Sequence, residues 1–203
     1  MTYTISHSKG GSKKSTTAWH LANGFRKKYP NKKVIIIDTD MQQTITIVNN
    51  IRKGAELDYF DIYQPKSVDD LLKILALHKD DIVIIDTGGF DKDINRVAIK
   101  RADKVIVPLM ASIHDVLGFS MFNSILDDVG VKHIEVLVTM VHHRQKDFSE
   151  IRDAISSFPS AKILKSKIPN NSANYKTMAL GLSVYDIDHI LCENYDGVIN
   201  ELC

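Results

Sequence analysis

The chain is 203 residues long, 44% hydrophobic and 25% charged, and its 26 lysines and arginines balance 25 acids to a formal net charge of +1. Such a composition can bury a substantial core, and it excludes both a disordered polyelectrolyte and a particle that coats nucleic acid through bulk positive charge. No apolar stretch approaches the ~18 residues of a spanning helix and the N-terminus lacks a signal-peptide core, so the expectation is a cytoplasmic protein with at most peripheral membrane contact.

In chain order, a strand is predicted over Thr2–His7, then the run Ser8-Lys9-Gly10-Gly11-Ser12-Lys13-Lys14-Ser15-Thr16, then a helix over Ser15–Lys28. A β-branched run predicts a strand over Lys33–Asp38, ending in Asp38-Thr39-Asp40-Met41-Gln42-Gln43-Thr44. A weaker strand is placed at Leu57–Ile62, and a helix at Val68–His78 with Ser67 as cap and Asp69-Asp70 in its first turn. The strand Ile82–Asp86 leads into Thr87-Gly88-Gly89, and a helix follows over Asp93–Arg101. Then come strand Lys104–Pro108, helix His114–Asp128, strand His133–Val138, helix Phe148–Phe158 and an edge strand at Lys162–Leu164. Helices Ser172–Leu180 and Ile187–Leu202 close the chain. This alternation predicts an α/β fold, a doubly wound and mostly parallel sheet flanked by helices. No linker, charge block or repeat divides residues 1–203, which are expected to form one domain.

The glycine-rich run carries the chemistry. Between a strand and a helix, such a loop points backbone N–H groups inward over the positive end of the helix and cradles a polyphosphate. Lys14 would reach the β- and γ-phosphates and the Ser15 hydroxyl would ligate Mg²⁺, with Gly10, Gly11, Ser12, Lys13 and Thr16 completing the cradle. Asp38, Asp40 and Asp86 stand at the carboxyl ends of predicted strands, where open α/β sheets place their ligands.

The order of these motifs carries a resemblance. Lys9-Gly10-Gly11-x-x-Lys14-Ser15-Thr16 resembles the deviant Walker A motif, KGGxGK[ST]T, of the ParA/MinD family. Asp38-Thr39-Asp40-Met41-Gln42 is similar to its DxDPQ segment with Met41 in place of proline, and Asp81–Gly89 to its Walker B strand, with Gly88-Gly89 where many relatives carry two prolines. Ala102–Pro108 with Ser112, Asp115 and Gly118 resembles its ADxVIxPxxPSxxDxxG stretch. Val138-Thr139-Met140, Ile168-Pro169 and Gly181–Asp186 resemble its late landmarks, so the resemblance runs from Met1 to about Leu202. Lys13 departs from it, since the family has glycine there to let the backbone approach the phosphates.

The resemblance implies a P-loop NTPase fold of the deviant Walker A type, with ATP and Mg²⁺ as cofactors. Lys9 would cross a dimer interface to the partner's nucleotide. Asp40 would orient or deprotonate the attacking water, Asp38 would support the Mg²⁺ shell and Asp86 would bind Mg²⁺ through water. Met140, Ile168 and Pro169 would face the adenine. The implied function is that of a small plasmid-type partition ATPase: slow, closing into a homodimer on ATP–Mg²⁺, holding nonspecific DNA and switched by a ParB-like or centromere-binding adaptor. Alternatives on the same fold are positioning of another cargo, a nucleotide-dependent scaffold that hydrolyses poorly, and a small kinase or synthetase.

Other residues read more plainly. Arg144, Lys146, Arg152, Lys162, Lys165, Lys167 and Lys176 fall in one third of the chain and are the candidates for contacts to DNA phosphates and a nucleoid association. Cys192 and Cys203 have neither redox nor zinc spacing, His142-His143 lacks partners for a metal set, and Trp19 is read as packing. The acidic stretch Ile187–Leu202, free of lysine and arginine, is read as a helix packed on the body rather than a membrane anchor.

Overall fold

The computed structural model describes residues 1–89, 91–110, 113–131 and 133–203, the side chains of Ile113 and His114 excepted. Ser112, one of the landmarks above, lies outside that description. The elements alternate as β1 Thr2–Ile5, α1 Lys14–Lys28, β2 Val34–Asp38, α2 Thr44–Gly54, β3 Asp61–Tyr63, α3 Val68–Leu77, β4 Ile82–Asp86 and α4 Asp93–Lys100. They continue as β5 Lys104–Met110, α5 Ile113–Val129, β6 Ile134–Thr139, α6 Ser149–Ser156, β7 Ala161–Ile163, α7 Ala173–Ala179 and α8 Leu191–Leu202. Among the described residues the strands make one seven-stranded sheet in the order β3-β2-β4-β1-β5-β6-β7, each pair parallel. The doubly wound α/β architecture is as the alternation predicts.

Hydrophobic patterning explains the layers. Every residue of β2 and β4 is buried, as for strands covered on both faces. Val34, Ile36 and Ile84 pack with α1, α2, α7 and α8 on one face. Ile35, Ile37, Val83 and Ile85 meet α3 and α4 on the other, and Val105, Val107, Val136 and Val138 meet α5 and α6 on that same side. Trp19 is fully buried, edge-on to Phe60, with its indole N–H donated to the Leu182 carbonyl at 2.9 Å. Register places the site: Asp86 of β4 stands opposite Asp38 of β2 on one side and Ile5, the last residue of β1, on the other.

The main difference from the sequence reading is α2. Thr44, Ile45, Thr46, Ile47 and Val48 favour a helix poorly, and the stretch shows no cap signal. Tertiary bonds override that preference. Ile45, Val48, Asn49 and Arg52, spaced on one helical face, are all buried. The Asn49 amide donates to the Phe60 carbonyl at 3.0 Å and accepts from the Phe60 N–H at 2.9 Å. That pairing also moves the weak strand to Asp61–Tyr63. At the end of the chain, α8 begins at Leu191 rather than Ile187. Ser67 caps α3 as expected, accepting from the Asp70 N–H at 3.1 Å.

Arg52 ties α2 to the segment between α7 and α8. Its guanidinium, 3% exposed, grips both oxygens of Asp186 at 2.8 Å and donates to the Gly181 carbonyl at 3.1 Å. Burial pushes the Asp186 carboxyl up, but the bonds from Arg52 and Ser183 outweigh it and hold the group at about 2. Gly181 has φ +72°, and a Cβ there would stand 2.5 Å from the Arg52 backbone nitrogen. Gly181→Ala is therefore expected to cost on the order of 3 kcal/mol by combining left-handed strain with a backbone clash, read as a lower urea midpoint at unchanged slope. Because its folded pKa lies below its unfolded one, Asp186 contributes stability that is complete above pH ~4 and is lost as pH falls toward ~2, at most about 2 kcal/mol. Acid titration of the stability of Asp186→Asn should lack that limb.

Candidate functional site

The loop after β1 turns through Gly11 at φ +77° and Lys13 at φ +70°, and α1 starts at Lys14. A left-handed Lys13 at this point aims the first turn of α1 and its free N–H groups back over the loop. Lys14 is 7% exposed, and its ammonium curls over the loop to the Lys9 carbonyl at 3.2 Å. Burial lowers its pKa, while the nearby charges of Asp86 and Asp40 pull it back up. A cleft of about 460 Å³ opens above, lined by Gly10 to Thr16 together with Asp40, Met41, Gln42, Thr44 and Gly89.

Three carboxylates meet there in different states. Asp86 is fully buried, and among the described residues neither oxygen makes a hydrogen bond of good geometry, although the Ser15 hydroxyl lies beside it. Burial pushes its pKa up to about 8; Ser15 and Lys14 work against the shift, and Asp38 and Asp40 add to it. Asp38 is also buried, but its oxygens accept from the Asp40 N–H at 3.1 Å, the Thr46 N–H at 3.2 Å and the Thr46 hydroxyl at 2.7 Å. Asp38 thus shapes the loop that presents Asp40 and starts α2. Asp40 is half-buried at the cleft wall and accepts from the Gln42 N–H at 3.0 Å. Gly88 and Gly89 let the loop after β4 press in close: a Cβ at Gly89 would stand 3.1 Å from the Ser8 carbonyl, and one at Gly88 would stand 3.5 Å from Asp40.

Lys9 points away from the cleft. Its ammonium forms an ion pair with the buried carboxylate of Asp115 on α5. Its N–H donates to Nδ1 of His7 at 3.0 Å, and His7 stacks on Phe122. Burial, with help from the Lys14 charge, lowers the His7 pKa to about 4, so the ring is the neutral acceptor this bond needs. Lys13 lies over the ring of Tyr175 with its ammonium 4.7 Å from the centroid, and the Tyr175 hydroxyl contacts the Met140 sulfur. Met140 and α7 are thereby joined to the phosphate loop. Pro169 bridges to Val141. The side chain of Ile168 sits in the core, and its backbone bonds to Val138 and Val141 hold this strand end in place.

The basic residues are distributed over the same end of the sheet. Arg144 and Lys146 are exposed in the loop after β6, Lys162 is exposed on β7 and Lys176 on α7. Lys165 and Lys167 follow β7 and join Arg152 of α6 around a groove. Sequence reasoning missed Tyr175, Thr46 and the pairing of Lys9 with Asp115. Asp115 was visible only as a landmark, and nothing local marks Tyr175.

Comparisons with known proteins agree with this geometry. A family model described as an AAA domain (AAA_31) matches residues 1–71, from β1 through the phosphate loop and the Asp38–Asp40 loop into α3. No curated protein matches the sequence. Among solved structures, apo McdA from Cyanothece aligns with a TM-score of 0.77 over 100% of this chain and 99% of its own, at 20% identity. The cell division protein MinD from Aquifex aeolicus aligns with a TM-score of 0.74 over 99% and 96%, at 15% identity. This is the ParA/MinD fold. A plasmid partition protein from Borrelia burgdorferi B31 bound to AMPPNP shares it, with a TM-score of 0.75 over 98% of this chain and 97% of that one, at 18% identity. Among the described residues no helix is long and apolar enough to cross a membrane.

Lys13 offers a direct check on the loop. Left-handed backbone costs a non-glycine residue roughly 1–2 kcal/mol, and an exposed cation–π contact returns about 0.5–1 kcal/mol. Lys13→Gly should therefore raise unfolding stability by about 1 kcal/mol, and by more in a Tyr175→Ala background where the contact is already gone. Chemical denaturation of the two single variants and the double variant measures both terms.

Proposed function

We propose that residues 1–203 act as one nucleotide-binding domain that binds ATP with Mg²⁺, closes into a homodimer on binding it and hydrolyses it slowly. The observation that carries the reading is the buried Asp86 carboxylate, which among the described residues makes no hydrogen bond of good geometry, beside Lys14 and Ser15 beneath the phosphate loop. A buried carboxylate without a donor is costly, and a divalent cation in the cleft offsets that cost. The donor set of two hard oxygens, from Ser15 and Asp86, with room for water, suits Mg²⁺. When bound, the ion would neutralise charge on the phosphate oxygens as they separate. Lys14 and the N-terminus of α1 would hold the terminal phosphates. Asp40, half-buried and steadied by Asp38 through the loop, would orient or deprotonate the attacking water. Lys9 would leave Asp115 to reach the nucleotide of a second copy. The AMPPNP held by the Borrelia protein supports the choice of ligand.

Within this class we favour DNA partition. The ATP-bound dimer would hold duplex DNA through phosphates, using Arg144, Lys146, Lys162, Lys165, Lys167 and Lys176, and a centromere-binding adaptor would trigger release; nucleoid association would follow. Positioning of another cargo is the second reading. It is favoured by the shared fold of MinD, a cell division protein. A nucleotide-dependent scaffold with weak hydrolysis is the third, favoured by Lys13 standing where close backbone approach calls for glycine.

One experiment with three variants tests the core of the proposal. By calorimetric titration, Lys14→Ala should lose ATP binding altogether; unchanged affinity would remove the phosphate-loop assignment. Lys9→Ala should keep ATP affinity within about tenfold, or ~1.4 kcal/mol, yet fail to dimerise with a nonhydrolysable analogue in light scattering. Asp40→Ala should form the dimer but turn over far more slowly, and wild-type turnover would exclude Asp40 from the chemistry.

A further inference from the structure

The sheet ends at β7, and the region around that edge is built unlike the rest of the surface. The Ser160 carbonyl accepts from the Ile134 N–H and the Leu164 N–H donates to the Val136 carbonyl, so the even-numbered residues of this segment face β6. The backbone of Ile163 is turned to the open side. Helix α6 does not close over the end of the sheet. Between α6 and β7 lies a groove of about 460 Å³; Ile151 and Ile155 of α6 close its base and are themselves nearly fully buried. Phe148 and Ile163 form half-buried walls.

The rim is cationic. Arg152, Lys165 and Lys167 line the groove, and no acid does among the described residues. None of the three is in an ion pair with a described residue. The Lys167 ammonium instead rests 4.8 Å from the centroid of the Phe148 ring and donates to the Lys165 carbonyl at 3.1 Å, which holds it at the mouth. In a chain whose net charge is only +1, three cations around one apolar channel are a local arrangement, although Asp147 lies within electrostatic reach of Arg152 and Glu201 accepts from the Lys165 N–H at 2.7 Å.

We infer that this groove docks a segment of a partner protein in which bulky apolar residues are flanked by aspartate or glutamate. The half-buried apolar walls of Phe148, Ala161 and Ile163 take the side chains, and the rim takes the carboxylates. Duplex DNA would engage the rim cations but has nothing to bury in an apolar channel, so the acidic amphipathic segment is the better complement. The inference goes beyond the nucleotide reading and stands without it, because no residue of the phosphate loop lines the groove. It has a consequence for that reading: a bound acidic segment would occupy Lys165 and Lys167, two of the cations proposed for DNA.

The full chain, labelled at isoleucine methyls, is titrated with a Leu/Glu amphipathic peptide of about four helical turns, with the same peptide carrying Lys for Glu, and with random-sequence duplex DNA. The acidic peptide should shift the methyls of Ile151, Ile155 and Ile163 and bind at least ~10-fold tighter than the lysine peptide. The pair Arg152→Glu and Lys165→Glu should weaken it at least ~10-fold, and so should Ser156→Trp, which plugs the exposed end of the groove without touching the core. Equal binding of both peptides, no shift at these methyls, or binding unchanged in the variants would overturn the inference. So would DNA shifting these methyls while the acidic peptide does not, which would hand the groove to nucleic acid. ATP affinity measured on Ser156→Trp should match that of the parent chain, which separates failure here from failure of the nucleotide reading.

Discussion

A buried carboxylate, Asp86, whose oxygens make no hydrogen bond of good geometry among the described residues, lies in the interior beside Ser15 and Lys14, and much of the surrounding structure holds it there. Asp86 is the last residue of the strand between β1 and β2, flanked by Ile5 and Asp38 in register. It faces the first turn of α1, where Lys14 lies buried and loses part of its hold on its proton. Two parallel strands, a glycine-rich turn and one helix start are needed to bring these groups together. Each of them would be a poor arrangement in isolation. A lone buried acid, a lysine driven into the interior and a non-glycine residue in left-handed backbone all run against local preference, and the core on both sheet faces holds them in place.

The same economy extends outward from Asp38. Its oxygens are taken by the loop and by Thr46, so the second carboxylate of the cluster works through its neighbour: it fixes where Asp40 stands and where α2 begins. Helix α2 then reaches across to Asp186 and Gly181 through Arg52. The loop that presents Asp40 is in this way anchored to the far segment between α7 and α8.

Most of the fold was legible because its strands are unambiguous. Val34–Ile37 and Ile82–Ile85 are β-branched runs that end in acids, and glycine or a charged turn follows each strand that matters. Strand-end position then located the cleft before any coordinates. What was not legible depends on partners remote in sequence. Helix α2 forms from residues that favour strands, because Asn49 and Arg52 find Phe60 and Asp186. Tyr175 meets Lys13 across more than 160 positions of chain, and Asp115 meets Lys9 across 106. The side chain of Ile168 lies in the core, a placement that depends on the packing of the whole layer and that no local pattern marks.

The Lys9–Asp115 pair is an ion exchanger in miniature. The carboxylate is buried and belongs to a helix start, while the lysine is partly exposed on a loop. Only the cation can travel. Any anion that draws Lys9 elsewhere competes with a counter-charge already in place, and the carboxylate it leaves stays buried at the start of α5.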